Sequence, residues 1–340
     1  MTHEFKNIIA SHVEAKKLGL KTVLVTVVDL DGSSYRKPGV RMLVLENNKM
    51  IGAVSGGCVE KEILRQSKSV FESGKPKIMT YDGRFRLGCE GFLFILLEIL
   101  NPKEDFINSF KNCLKERVNF QIESRYCREE GEFNTIGSFV KINDSEFSLS
   151  EDVNVEQLNA SKFLTFSQVM EPCFKLIIFG SEHDTVQLCQ FAALTGWEVS
   201  IVTKPSEYKT IQSFPGATEF ISSEPENIDF SVIDNQTAVM IMTHSFTNDL
   251  KCLIALKDHS PIYIGLLGPV HKRENLLSQL LEYYPDIEDA FFDKIYGPAG
   301  LNIGSETPQE ISISIISEIL SITRHKTPMS LKEKTRNTHA

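Results

Sequence analysis

Several features that would assign a function class at once are missing from this sequence. No uninterrupted apolar stretch reaches the roughly 18 residues that a membrane helix needs, and the opening MTHEFKNIIASHVEAKKLGL has no cationic segment followed by an apolar run. A secretory signal is therefore not expected, and the cytoplasm is the expected compartment. Basic charge is short as well: 36 Lys and Arg stand against 45 Asp and Glu, a formal net charge of -9. General nucleic-acid binding needs a basic face to neutralise phosphates, so that class is disfavoured. The seven cysteines, at 58, 89, 113, 127, 173, 189 and 252, are odd in number, scattered and without a C-x-x-C pair. That spacing argues against a disulfide framework or a structural zinc site and for reduced thiols.

What remains is ordinary globular material, 41% hydrophobic and 24% charged in 340 residues. At about 150 residues per domain the chain has room for two. Residues 1–170 are expected to form a first domain, 171–325 a second, and 326–340 a polar, frayed tail.

The chain is organised around the stretch Asp31 to Glu60, DGSSYRKPGVRMLVLENNKMIGAVSGGCVE. Two glycine-bounded loops, Gly32 to Gly39 and Ser55 to Glu60, flank a short apolar hairpin, Val40 to Leu45 and Met50 to Val54, turned at Asn47-Asn48. The hairpin is expected to hold both loops at one sheet end. Gly32, Ser33, Ser34 and Gly39 offer hydroxyls and freed amides, and Arg36 and Lys37 add cations. Ser55, Gly56 and Gly57 lead into Cys58 and the start of a helix with Glu60 in its first turn. Glycine lets N–H groups close on an anion, and a helix N-terminus adds favourable potential. Glu60 itself has a plainer reading, as a complement to the helix dipole.

Helical spacing over residues 4–18, closed at Gly19, precedes a strand from Lys21 to Val28. After Cys58 come a helix to Phe71 and strands Lys77 to Tyr81 and Phe92 to Leu100, with Cys89 in the intervening glycine-rich turn. A cysteine among freed amides and near arginines tends towards thiolate; otherwise Cys58 and Cys89 are small residues in tight turns. The other five cysteines read as core. Between Asn101 and Phe166 a helix near Pro102 to Val118 and strands Asn119 to Cys127 and Ile136 to Ile142 are expected. Phe133, Phe139, Phe147, Phe163 and Phe166 are expected to cover one sheet face.

In the second half, the apolar run Lys175 to Phe179 reads as a buried parallel strand, followed by Gly180-Ser181-Glu182-His183-Asp184, a helix from Thr185 and a strand from Trp197 to Val202. This βαβ order is that of a Rossmann-like, doubly wound sheet. Yet Glu182 breaks G-x-G-x-x-G, and Thr203-Lys204-Pro205 stands where an acid would hold a ribose hydroxyl. Ordinary NAD binding is disfavoured; Lys204 leaves NADP the less improbable nucleotide. His244 and Gly268 follow further strands and should share the carboxyl edge with Gly180, and Lys272 and Arg273 offer an anion clamp. Thr307-Pro308-Gln309-Glu310 opens a helix whose buried side should include Ile311, Ile313, Ile315, Ile316, Ile319 and Leu320.

These segments resemble the xanthine dehydrogenase accessory factors of the XdhC/CoxI type. GSSYRKPGVRMLV followed by GAVSGGCVE is similar to GSSPRxPGxxM then GxxxGGCxE, with Tyr35 in the place of Pro. Gly88-Cys89-Glu90-Gly91 resembles GCGG or GCNG, with Glu90 in a small or amide position. MTHSFTNDL resembles MTHxxxxD, YIGLLGPVHKRENL resembles YVGLLGSxxKR, and GPAGLNIGSETPQEISISIISEI resembles PxGLDIGAxTPxEIAxSIxAEI. The resemblance implies an α/β N-terminal domain and a Rossmann-like C-terminal one. It also implies a cytoplasmic maturation factor, non-enzymatic or weakly enzymatic, that binds molybdenum cofactor (molybdopterin or its dinucleotide form) and assists its sulfuration and insertion into a xanthine dehydrogenase-like molybdoenzyme. A cysteine desulfurase and a second copy of the chain are the further partners this reading invokes. The two early loops, with Cys58 and Cys89, would grip the cofactor; Gly180, Ser181, Asp184, His244, Gly268, Lys272 and Arg273 would add contacts from the second domain. Two other readings stay open: an NAD(P)-dependent oxidoreductase, and a degenerate paralogue acting through partner binding.

Overall fold

The computed structural model describes residues 1–32, 37–55, 57–82, 91–150 and 163–333, with Cys58 described in its main chain only. The chain divides into two compact units, Met1–Pro172 and Cys173–Ala340.

The first unit begins with helix α1 (Thr2–Lys17), which stops at Leu18 and the left-handed Gly19. A six-stranded sheet follows, built from β1 (Thr22–Gly32), β2 (Arg41–Leu45), β3 (Met50–Gly52), β4 (Lys77–Asp82), β5 (Gly91–Ile99) and β7 (Gly131–Glu132), with helix α2 (Cys58–Ser73) between β3 and β4. Its order is β3-β2-β1-β5-β4-β7. Period-two alternation gives each face its own core. Val23, Val25, Val27, Met42 and Val44 pack with Val59, Ile63 and Val70 of α2. Leu24, Leu43 and Leu45 face Phe5 and Ile8 of α1 and Phe106 and Phe110 of α3 (Glu104–Lys115).

A second sheet of the same unit joins that latter core through Phe120, Ile122, Val140, Ile142 and Met170. Its strands β6 (Phe120–Tyr126), β8 (Gly137–Ile142), β9 (Ser145–Ser148) and β10 (Leu164–Met170) lie in the order β10-β6-β8-β9. Two of these, β9 and β10, carry no strong sequence signal. The five phenylalanines do not share one face: Phe147 packs in the α1–α3 core, Phe133, Phe163 and Phe166 pack with Val28, Ile78 and Tyr126, and Phe139 lies under Arg125. Strand pleating turns Phe139 and the adjacent Val140 to opposite sides, which a list of aromatic positions does not register.

The second unit is a parallel sheet of β11 (Lys175–Phe179), β12 (Glu198–Thr203), β13 (Glu219–Ser222), β14 (Thr237–Ile241), β15 (Tyr263–Leu266) and β16 (Ile295–Tyr296), ordered β13-β12-β11-β14-β15-β16. This is the doubly wound order whose switch point falls between β11 and β14. Leu176 and Ile178 face α4 (His183–Leu194) and α8 (Pro308–Thr323), while Ile177 and Phe179 face α5 (Phe246–Leu256) and α6 (Val270–Tyr283), a short α7 (Asp289–Phe292) completing that side. Helix α4 begins two residues earlier than the sequence suggests, taking in His183 and Asp184. Helix α8 opens where expected, and does so with a capping box, Thr307 accepting from the Glu310 N–H and Glu310 from the Thr307 N–H. Ile313 is a correction: it is 45% exposed. Ser314 is buried instead, donating to Leu301 O at 2.6 Å, because the segment at Gly300 lies directly on the helix.

Candidate functional site

The hairpin of β2 and β3 does place both early loops at one end of the first sheet. Gly39 N–H donates to Val27 O at 2.8 Å and Val27 N–H to Val40 O at 3.0 Å, so the first loop re-enters the sheet beside Val27. Gly52 pairs with Met42, one step from Arg41 and its partner Thr26, so the chain leaves β3 at nearly the same level. Beyond Val27, β1 runs on against β5 as far as the Gly32–Gly91 pair, where β4 also ends at Asp82. The three connections 33–40, 53–57 and 83–90 therefore depart from the same end, the first and third from a tongue that continues beyond the level of the second. Asp29 pins that tongue, accepting from Tyr126 Oη and Arg128 Nε at 2.8 Å each. Ser33, Ser34, Arg36, Gly56, Cys89 and the Cys58 thiol lie outside the described residues. Lys37 is exposed, Gly39 is buried, and Gly57 takes φ 119° with no atom within 4 Å of where a Cβ would stand.

The Ser55–Gly57 turn differs from the expected open nest of donors. The Glu60 carboxylate folds back into it and accepts from the N–H groups of Val54 at 3.0 Å, Ser55 at 2.5 Å and Gly57 at 2.9 Å, and from Ser55 Oγ at 2.5 Å. Ser55 Oγ in turn accepts from the Val59 N–H at 3.3 Å. Burial opposes the charge on Glu60, but the hydrogen bonds from Ser55 and Gly57 together hold its carboxyl below the ordinary value. Glu60 is thus the resident anion at the start of α2, and the described amides of this turn are already engaged. A carboxylate at the third helical position is the sequence signal for such a return contact.

At the carboxyl edge of the parallel sheet, Gly180, Ser181, Asp184 and His244 come together. A Cβ at Gly180 would stand 2.6 Å from Met242 O and 2.8 Å from Thr185 Oγ1, so only glycine lets β11 and β14 close here. His244, at φ 54°, brings Nε2 to 3.7 Å from Asp184 Oδ2. Gly268 lies just past β15, with the Lys272 side chain across it.

Lys272 does not project as a solvent-facing clamp. Its ammonium pairs with the buried Asp249 and donates to Leu267 O at 3.0 Å, while Asp249 also accepts from Thr243 Oγ1 at 2.5 Å. Arg273 packs on Gly297 and its Nε is buried. The Thr243–Asp249–Lys272 network carries no sequence signal, since Lys272 stands 23 residues beyond Asp249 and only the fold joins them.

The crevice beside Gly180 is small for a nucleotide. It encloses about 100 Å³ among Gly180, Thr203, Lys204, Ser223, Asn248 and Cys252, against the roughly 300 Å³ at which small-molecule sites begin. Glu182, Glu207 and Glu224 also line it, and Lys209 donates to Ser181 O across the glycine turn. Cys113, Cys127, Cys173, Cys189 and Cys252 are buried. Burial pushes the Cys252 thiol up, reinforced by Asp249, Glu226 and Glu224, so it is not a ready thiolate. A larger hollow, about 590 Å³, lies at the opposite sheet edge around Lys257, His259, Tyr283 and Tyr284, and contains none of the expected site residues. No described helix is long and apolar enough to cross a membrane.

Comparison with known proteins agrees with the motifs in both units. Residues 15–82 match the model of the XdhC and CoxI family and residues 176–319 that of the XdhC Rossmann domain, together well over half of the chain. A protein of Bacillus subtilis described as a probable xanthine dehydrogenase subunit is 29% identical, covering 88% of this chain and 92% of the relative. The molybdenum cofactor insertion chaperone PaoD of Escherichia coli is 24% identical, covering 96% and 91%. A crystal structure of a xanthine dehydrogenase from Bacillus halodurans, 24% identical, superposes with a TM-score of 0.75 over 95% of this chain and 97% of that one. The glycine loops of the first unit, the switch-point glycine of the second and the two family matches lead to one assignment: the chain belongs to the XdhC and CoxI family.

Proposed function

We propose that this chain is a maturation factor that holds molybdenum cofactor and assists its sulfuration and insertion into a xanthine dehydrogenase-like molybdoenzyme. The observation that carries this reading is similarity running through both units to a relative whose name states molybdenum cofactor insertion. The first unit supports it by sending three glycine-bearing connections from one sheet end.

The residues fit an anionic guest unequally. Lys37 and the Gly32–Gly39 loop, closed at its base by Gly39, offer a cation and main-chain donors. The Ser55–Gly57 amides are held by Glu60, which repels a second anion unless it is displaced or protonated. Molybdenum cofactor, when bound, supplies a phosphate and sulfur-ligated metal. Cys58, first residue of α2, is assigned contact with the sulfur-bearing end or receipt of sulfur from a cysteine desulfurase. A homodimer is part of this reading and is checked by light scattering of the purified protein.

The deciding experiment is co-expression in a cofactor-producing host, anaerobic purification, and assay of released pterin and molybdenum. Near-stoichiometric recovery from the wild type, lowered at least several-fold by Lys37→Glu, is the expected result; recovery of neither from the wild type rejects the reading. The oxidoreductase alternative is disfavoured by the small, acid-lined crevice. Titration of NAD and NADP against Trp197 fluorescence is expected to give no saturable change.

A further inference from the structure

A polar seam crosses the interior of the first unit. Arg41, Thr26 and Glu98 are 6%, 0% and 0% exposed. Register places them on one face: Arg41 is opposite Thr26, which is opposite Leu96, and Glu98 is two residues further along β5. The facing sheet answers with Ser138, whose N–H donates to Glu98 Oε2 at 2.8 Å, and with Ser124, hydrogen-bonded to Ser138 through their hydroxyls at 2.8 Å.

Arg41 reaches from this seam to the candidate loop. Its Nη1 donates to Gly39 O at 3.0 Å and to Gln168 Oε1 at 2.6 Å. Gln168 lies so close over Gly39 that a Cβ there would stand 2.7 Å from its Oε1. Phe5 covers the guanidinium at 5.9 Å. The remaining polar atoms are the informative ones. Among the described residues, Arg41 Nε and Nη2, Thr26 Oγ1 and Glu98 Oε1 are buried with no hydrogen-bond partner. Two donors, one hydroxyl and one acceptor on a common face form the partner set that an internal water takes. A buried guanidinium also needs a counter-charge, and among the described residues the carboxylate whose field reaches it is Glu98.

We propose that Arg41 is the positioning residue for the Gly39 end of the Gly32–Gly39 loop, and that one or two ordered waters seated among Arg41, Thr26 and Glu98 join its guanidinium to the Glu98 carboxyl group. Through Ser138 the same chain of contacts ties the loop to the second sheet. Calling this a ligand loop rests on the proposed function; the seam and its waters do not.

Both parts are read on the ligand-free full-length chain. A high-resolution crystal structure is expected to show water within hydrogen-bond distance of at least three of the four atoms. A direct Arg41–Glu98 contact, or a dry seam, overturns the bridge. Arg41→Lys keeps the buried charge, but its ammonium falls one bond short of the Nη1 position that serves both Gly39 O and Gln168 Oε1 and lacks the Nε and Nη2 donors. Residue-resolved amide exchange is expected to be at least ten-fold faster at Gly39 and Val40 in this variant, with β4 unchanged. Unchanged exchange at Gly39 overturns the positioning role. Should Arg41→Lys fail to fold, Gln168→Leu provides the second reading, with the same acceleration expected and the same overturning result. Loss of pterin binding in the wild type would reject the functional reading while leaving these outcomes intact.

Discussion

Two buried glutamates of the first unit respond to pH in opposite senses. Glu60 is held below its ordinary value, so its stabilisation is complete above the unfolded-state value and is lost as pH falls through the folded one. Glu60→Ala frees the N–H groups of Val54, Ser55 and Gly57 and is expected to cost about 1–2 kcal/mol in urea unfolding at pH 7. Glu98 is raised to about 7, chiefly by burial, against the opposing hydrogen bond from Ser138 and the field of Arg41. Its contribution is present in full below the unfolded value of 4.5 and is lost as pH rises through about 7. Wild-type stability is expected to fall by on the order of 2–3 kcal/mol from pH 5 to pH 8 through this group. Glu98→Gln should flatten that decline. Neither behaviour was legible in sequence beyond a hint: Arg41 and Glu98 are lone charges inside apolar strands, RMLVL and GFLFILLEI, which already sets them apart from solvated charges.

Among elements, the edge of the parallel sheet is fixed by one ion pair and one glycine. Asp249 is 1% exposed and anchors both the Thr243 turn after β14 and Lys272 at the start of α6. Breaking a buried pair leaves one charge uncompensated, so Asp249→Asn is expected to cost about 3 kcal/mol and Lys272→Met a similar amount, the double variant less than their sum. The single tryptophan, Trp197, is buried against Phe174 in this unit, so its fluorescence reports these midpoints directly. Gly180→Ala should lower the same midpoint, by about 2 kcal/mol or more, because Met242 O cannot withdraw without disturbing β14. Local signals were readable here: Thr307 and Glu310 announced α8, and a glycine after an apolar run announced the switch point. Lys272 was not readable, because its partner stands 23 residues earlier and only the fold brings them together.

For the whole molecule, alternating apolar runs and amphipathic segments made the doubly wound second unit legible, and the hairpin of β2 and β3 made the common end of the early loops legible. The second sheet of the first unit was harder, because β10 is a half-exposed strand, LTFSQVM, whose alternation is diluted by polar residues on both faces. That strand carries a consequence of its own. Both six-stranded sheets finish in stunted borders: three residues in β3, two in β7, four in β13 and two in β16. By contrast β10 is a border of seven residues, hydrogen-bonded only to β6 among the described strands, with Val169 64% exposed and Leu164 43% exposed. Short rims discourage intermolecular strand addition, and a long one invites it. Concentrated or heated samples should therefore polymerise through β10, and Val169→Lys should delay the rise in turbidity while leaving the unfolding midpoint within about 0.5 kcal/mol of the wild type.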